Sequence, residues 1–572
     1  MYDNDPYKNQ EPPHGHYQQP QQAYAQAPPP GAYMGQPADA HIQGVNSIKP
    51  ETSPSTGCRD WPFAIVFILN VAAIVGLMVV WGIDSLSDKD DKSTSTNALS
   101  ADDTKKVIAI AVGMAVVAVV LALLLVKLIT AAARFMINFV LWFNVALSVA
   151  VAAYGFVIGN LFLGIIGAII ALLNLCYARA VQHRIPFAVA NLKVAEKAIS
   201  KHKTTYLVAI ICTIVQIVWV AVWALALLGV ANNMSTDSNA SSTGYLEDGA
   251  TCSISSQCLS DSCKLYSNGR KCASTTSQFF KASGTTYVAY FFMLISFYWG
   301  LQVFKNIGHV TVSGTVATFW YNSESAGATG SSFKRATTTS FGSICFGSLL
   351  VAILQALRAL AESQREEGSF IGCICECILG CLQSLMEYFN RWAFVYVGIY
   401  GDTNCVEYKF VVLCSYKFTQ AGKAVIDLFH QRGFDAIIND DLIGNVLSFA
   451  ALGVGLICAG IGGVIGEATD IVSFDNSTIV LAVLGFLVGL GVSITPLAVI
   501  DSSVATIFVC FAEVCGCIPI FEVDRDGSEI VSLCSQDPAA FMQSHPELYN
   551  PLIAEWHNLY PEILVQAGYW HA

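Results

Sequence analysis

Long apolar runs decide what this chain can become. Nine are clean: Trp61–Ile83, Val107–Ile129, Phe135–Ala153, Phe156–Cys176, Tyr206–Ala231, Thr285–Phe304, Thr337–Leu357, Leu442–Ile465 and Thr478–Ile500. A helix rises about 1.5 Å per residue, so about 20 apolar residues cross the ~30 Å hydrocarbon layer of a bilayer. A tenth, less regular stretch lies within Ile371–Tyr400, where "GCICECILGCLQSLMEYFNRWAFVYVGIYG" mixes polar with apolar residues and leaves room for a half-span. In hydrocarbon the backbone must satisfy its own polar groups, which leaves helices or closed barrels. Runs of this length specify an all-α polytopic membrane protein with about ten transmembrane helices. Composition agrees: 13% of residues are charged and 54% hydrophobic, where a soluble domain carries roughly 25% charge. A net charge of −12 offers no basic face to nucleic acid. Membrane lipids are the expected surroundings.

The spans divide the chain. Residues 1–60 are rich in Pro, Gln, Tyr and Gly and hold too little aliphatic surface to offset their ordering entropy. They read as a disordered tail, either a docking segment or a solvated leader, and not as a cleavable signal peptide. Residues 61–231 hold five spans, 232–284 a long loop, 285–513 five more spans, and 514–572 a C-terminal tail. Loop charge sets the orientation. The link after the fourth span carries Arg179, Arg184, Lys193, Lys197, Lys201 and Lys203 against Glu196 alone, and positive loops stay cytoplasmic. Both termini are then cytoplasmic and the 232–284 loop faces outward. That loop carries glycosylation sequons at Asn233 and Asn239, with a third at Asn476 before the last span. It also holds Cys252, Cys258, Cys263 and Cys272. An even set in an oxidising compartment suggests two disulfides, with about three connectivities open. The link "RALAESQREEG" after the seventh span is nearly balanced in charge and argues for neither side.

No catalytic signature emerges: no phosphate-binding loop, no HExxH, no GxSxG. Neither an enzyme nor a cofactor nor a metal is therefore expected. Cysteine clusters at Cys373–Cys381 and Cys510–Cys517 have metal readings, but small soft residues also serve as helix packing. Intramembrane polar groups point to solute paths. Asp501 follows "GLGVSITPLAVI", where Pro496 interrupts the last span. A broken helix frees backbone groups to line a cavity; the alternative is a kink with Asp501 at the water interface. Aromatic faces attract organic ammonium, which makes Tyr298, Trp299 and Trp320 candidates, although Trp and Tyr also form interfacial belts. Trp219 and Trp223, four apart, share one face of the fifth span.

Several long motifs, in order, carry a family resemblance. They are "SFYWGLQVFKNIGHVTVSGTVATFW" (Ser296–Trp320), "SFGSICFGSLL" (Ser340–Leu350), "NRWAFVYVGIYG" (Asn390–Gly401), "AGKAVIDLF" (Ala421–Phe429) and "DSSVATIFVCFAE" (Asp501–Glu513). Together they resemble the choline transporter-like family, and the Pro- and Gln-rich tail resembles its fungal branch. The resemblance implies a ten-span plasma-membrane protein with cytoplasmic termini. It also implies transport of choline or a related small organic cation by alternating access, without ATP as the direct energy source. A membrane scaffold acting through its tail is the alternative. Two departures stand out: segments 402–415 and 514–536 interrupt the family pattern. Val514–Cys515 can be written GTATGT and Gln536 CAG, so the second segment reads as an intron retained in frame. Mature transcripts that keep both segments would sink that reading.

Overall fold

The apolar runs become helices longer than the runs themselves. The computed structural model describes residues 60–83, 101–241, 263–266, 269–272, 284–321, 326–363, 370–399, 418–468, 477–515, 521–523, 529–531, 539–559 and 561. These belong to one compact unit, Pro54–Ala572. In chain order the helices are α1 (Trp61–Leu77, carried on by a π-turn to Gly82), α2 (Ala101–Ala131), α3 (Ala133–Val157), α4 (Leu161–Ala180), α5 (Ile185–Lys201) and α6 (Thr204–Ser241). After the hairpin β1 (Cys263–Tyr266) and β2 (Gly269–Cys272) come α7 (Gly284–Tyr321), α8 (Ala328–Thr337), α9 (Phe341–Ser363), α10 (Phe370–Ile399), α11 (Phe418–Ala468) and α12 (Ser477–Cys515). A second hairpin, β3 (Phe521–Val523) and β4 (Glu529–Val531), precedes α13 (Ala539–Ser544) and α14 (Pro546–Leu559).

Among the described residues, nine helices are long and apolar enough to cross a membrane: α1, α2, α3, α4, α6, α7, α9, α11 and α12. The stretch open to a half-span is α10, a continuous 30-residue helix, about 45 Å long. It packs against α7, α9, α11 and α12. Glu376, Glu387 and Arg391 lower its apolar character. The sixth span runs unbroken past Phe304 to Tyr321, so Tyr298, Trp299 and Trp320 belong to one helix. The last span is likewise continuous through Pro496.

Small residues let these helices approach. With lipid on the outside, packing and hydrogen bonds rather than water exclusion drive association, and side chains without bulk permit it. Between α11 and α12, a Cβ on Gly485 would lie 2.4 Å from the Cys458 carbonyl, and one on Gly462 would lie 2.2 Å from that of Leu481. Between α6 and α7 the indoles of Trp219 and Trp223 donate to the Phe297 and Met293 carbonyls at 3.2 and 2.9 Å. The shared face read from the sequence is thus a staple between two helices.

Two shorter features finish one end of the bundle. Helix α5 is amphipathic: Phe187, Ala188, Leu192, Ala195 and Ile199 are buried, while Lys193, Lys197 and Lys201 are exposed at four-residue spacing. Asp60, at the edge of the expected tail, is half-buried and bonded to the bundle. Its carboxylate accepts from Ser343 Oγ at 2.7 Å and from the Phe418 backbone N–H at 3.0 Å. It thereby caps the start of α11 and ties it to α9. Cys252, Cys258, Asn476 and segment 402–415 lie outside the described residues, as does most of 514–536. Asn233 and Asn239 fall on the last turns of α6.

Candidate functional site

Five helices, α6, α7, α9, α10 and α12, enclose a cavity of about 510 Å³. Its lining is polar for a membrane interior. Helix α6 supplies Thr213 and Gln216; α7 supplies Gln302, Lys305, Asn306 and His309; α10 supplies Ser384, Glu387, Tyr388, Asn390 and Arg391; α12 supplies Thr495, Asp501 and Ser502. Polar groups at this depth are costly unless they pair or face a wet cavity, and here they do both. The Thr213 and Thr495 hydroxyls meet at 2.9 Å, joining α6 to α12. Asn306 donates to Ser348 Oγ at 2.9 Å, and Asn390 to the Gly347 carbonyl at 2.6 Å, joining α7 and α10 to α9.

The charged groups are arranged unequally. Arg391 Nη2 lies 2.8 Å from Asp501 Oδ1, an ion pair that bridges α10 and α12. His309 sits behind it, with Nε2 3.0 Å from the Arg391 carbonyl and Nδ1 2.5 Å from Ser502 Oγ. A carbonyl only accepts, so Nε2 carries the proton and the Ser502 hydroxyl donates to Nδ1. That tautomer ties the α10 backbone to the Ser502 side chain of α12. Glu387 differs. Its Oε1 accepts from Gln355 Nε2 at 3.0 Å and Gln383 Nε2 at 2.9 Å. Among the described residues no cation pairs with it. Two amides orient its carboxylate without neutralising it.

Toward the end that carries α5 and α8, the cavity closes. Helices α7 and α10 cross at two glycines: a Cβ on Gly398 would lie 2.7 Å from Ser313 Cβ, and one on Gly314 would lie 3.1 Å from the Gly398 carbonyl. Trp392 and Tyr396 of α10 and Phe508 and Phe511 of α12 are fully buried. The C-terminal helices complete the seal. Trp556 of α14 packs on Phe511 and Phe187. Phe541 of α13 stacks on Trp320 at 4.1 Å, and Ser544 Oγ donates to the Trp320 carbonyl at 3.0 Å. The His545 ring lies 3.9 Å from the Phe319 ring, with Nε2 3.0 Å from the Phe319 carbonyl.

Acid should weaken that docking. His545 and His202 both lie below the ordinary value of 6.5. For each, burial is the main cause and Lys201 adds to it; the Phe319 carbonyl and Glu547 oppose it at His545, and each imidazole is near the other's. A base whose value is depressed on docking binds more protons when undocked. Docking is therefore fully stable above the ordinary value and weakens as pH falls through it toward the depressed one. Limited proteolysis of residues 539–559 should be faster at about pH 5.5 than at about pH 7.5, and His545→Gln should shrink the difference. Equal cleavage at both pH values would rule the coupling out.

Comparison with known proteins places this architecture. The family model described as "Plasma-membrane choline transporter" matches residues 165–516. The chain belongs to that family. Among its relatives is the protein called PNS1 of Mycosarcoma maydis, 28% identical over 86% of this chain and 91% of its own length. PNS1 of Eremothecium gossypii is 26% identical over 90% of this chain and 83% of its own. A CTL-like protein of Dictyostelium discoideum is 28% identical over 67% and 59%. The chain is thus a multi-pass membrane transporter of the choline transporter-like family, fungal branch.

Within this transporter the residues singled out from sequence separate. Asp501 lines the cavity, inside α12 and not at its end. Pro496 sits in α12 between the lining residues Thr495 and Ala498. The aromatics belong to packing. Trp299 donates its indole N–H to the Cys345 carbonyl at 2.9 Å, Tyr298 meets Phe297 edge-on at 5.2 Å, and Trp320 stacks on Phe541. Lys305, Glu387, Asn390 and Arg391 were not singled out. The signal for them was present: Glu387 and Arg391 are charges inside the least apolar stretch, and Lys305 directly follows the sixth apolar run.

Proposed function

We propose that this protein carries choline or a related small organic cation across the plasma membrane by alternating access, with the solute seated in the cavity between α6, α7, α9, α10 and α12. One observation carries the reading: Glu387 is a cavity carboxylate oriented by Gln355 and Gln383 and left without a cation among the described residues. Asp501 is already matched by Arg391. An ammonium entering the cavity finds its counter-charge at Glu387 and an aromatic neighbour in Tyr388.

The α5 end is proposed as the cytoplasmic one. Lys193, Lys197 and Lys201 on α5, with Lys334 and Arg335 on α8, support it. The α7–α10 crossing and the docked C-terminus then form an inner gate in its shut state, and both termini are cytoplasmic. In the outward loop, the β1–β2 register sets Cys263 opposite Cys272. Cross-strand Cα atoms lie about 4.5–5.5 Å apart, within disulfide reach, which favours the connectivity that includes Cys263–Cys272. Glycosylation at Asn233, Asn239 and Asn476 suits the same side.

The test is uptake of labelled choline by cells lacking the gene, with and without this chain restored. Restored, saturable uptake is the expected result. Uptake that ignores the chain removes choline as its solute.

A further inference from the structure

The cavity contains a second charge that a bare cation leaves unanswered. Lys305 lies midway along the membrane span Val288–Tyr321. A lysine within a membrane-spanning helix is costly, and such residues pair or serve a pathway. Lys305 lines the cavity, yet no carboxylate pairs with it among the described residues. Asp501 is held by Arg391, and Glu387 by two amides. The cavity therefore presents one uncommitted ammonium from α7 and one uncommitted carboxylate from α10.

Neighbouring groups sort the same way. Gln302, one turn from Lys305 on α7, also lines the cavity and adds an amide donor to that wall. On α10, one turn from Glu387, the buried Asn390 Oδ1 has no hydrogen-bond partner, and Asn390 also lines the cavity. Among the uncommitted groups, α7 thus offers a donor and a positive charge, and α10 an acceptor and a negative charge. We infer that the preferred solute is a small zwitterion, its ammonium group on the Glu387 wall and its carboxylate or phosphate oxygens on Lys305 and Gln302. This rests on the cavity and the Glu387 site proposed above and extends them: a cation ending in a hydroxyl satisfies Glu387 and leaves Lys305 unpaired.

The experiment is binding to the purified full-length protein in detergent, followed by tryptophan fluorescence. Choline, glycine betaine and phosphocholine are the probes; wild type, Lys305→Gln, Lys305→Arg and Glu387→Gln are the proteins. At least one zwitterion should bind wild type about tenfold more tightly than choline, a difference of about 1.4 kcal/mol. Lys305→Gln should erase that advantage, and Lys305→Arg should keep most of it. Removing a mid-membrane charge relieves the insertion cost, so the glutamine variant is expected to fold, which size-exclusion profiles check. If choline outbinds both zwitterions in wild type, or if Lys305→Gln leaves the preference intact, the inference fails while the cation reading stands. Choline binding that needs chloride in wild type and loses that need in Lys305→Gln also overturns it, since Lys305 would then hold a separate anion. If Glu387→Gln binds every probe as wild type does, the underlying site is wrong instead.

Discussion

Glutamine at position 387 should lower choline uptake about a hundredfold while leaving the protein folded and at the cell surface. The substitution is nearly isosteric. A glutamine oxygen still accepts from Gln355 and Gln383, so the contacts to α9 and along α10 survive. What disappears is the negative charge that faces the solute. Truncating one partner of a desolvated charge pair costs about 2–5 kcal/mol, and about 2.7 kcal/mol is a hundredfold. Glu387→Asp should be intermediate, because the shorter side chain draws its carboxylate away from the two amides. Uptake kinetics, normalised to surface protein, decide the matter. Uptake by Glu387→Gln within about twofold of wild type would locate the cation elsewhere.

Most of the scaffold could be read directly. Apolar runs of about 20 residues allow few folds, because hydrocarbon forbids unsatisfied backbone. The nine clean runs became nine helices. The remaining stretch, α10, was hardest to assign for the same reason that it matters: Glu387, Asn390 and Arg391 face the cavity and dilute its hydropathy. Asp501 was legible because it stands alone after a long apolar run. The aromatics misdirect because packing and cation binding draw on the same residues. Only the structure shows Trp299 bonded to the Cys345 carbonyl and Trp320 stacked on Phe541. Two relationships had no local signal. The match of Arg391 to Asp501 spans 110 residues, and the docking of Trp556 against Phe187 and Phe511 joins distant parts of the chain.

The Arg391–Asp501 pair yields the second large effect, and its logic differs from that of Glu387. Both side chains are largely withdrawn from solvent, at 22% and 29% exposure. Removing either partner leaves a lone charge in mid-helix, where breaking a buried pair costs about 3–5 kcal/mol. Residual exposure places these at the lower end of that range, about 3 kcal/mol. Arg391→Gln and Asp501→Asn should each lower the melting temperature in detergent and deplete surface protein. The double variant should recover most of the stability, since neither charge is then stranded; a coupling of about 1–3 kcal/mol is expected for residues in contact. Uptake separates two roles for the pair. Helices α10 and α12 are joined here beside the α7–α10 crossing, so opening toward the α5 end must move α10 against a partner. If the pair only holds the fold, the double variant regains both stability and transport. If it times the opening of that end, the double variant regains stability alone, its maximal rate changing more than its apparent affinity. The charge swap Arg391→Asp with Asp501→Arg adds a check. It restores attraction and keeps the backbone carbonyl at position 391 that His309 grips, so a recovered rate would show that the charge match, not the placement of each partner, sets the motion.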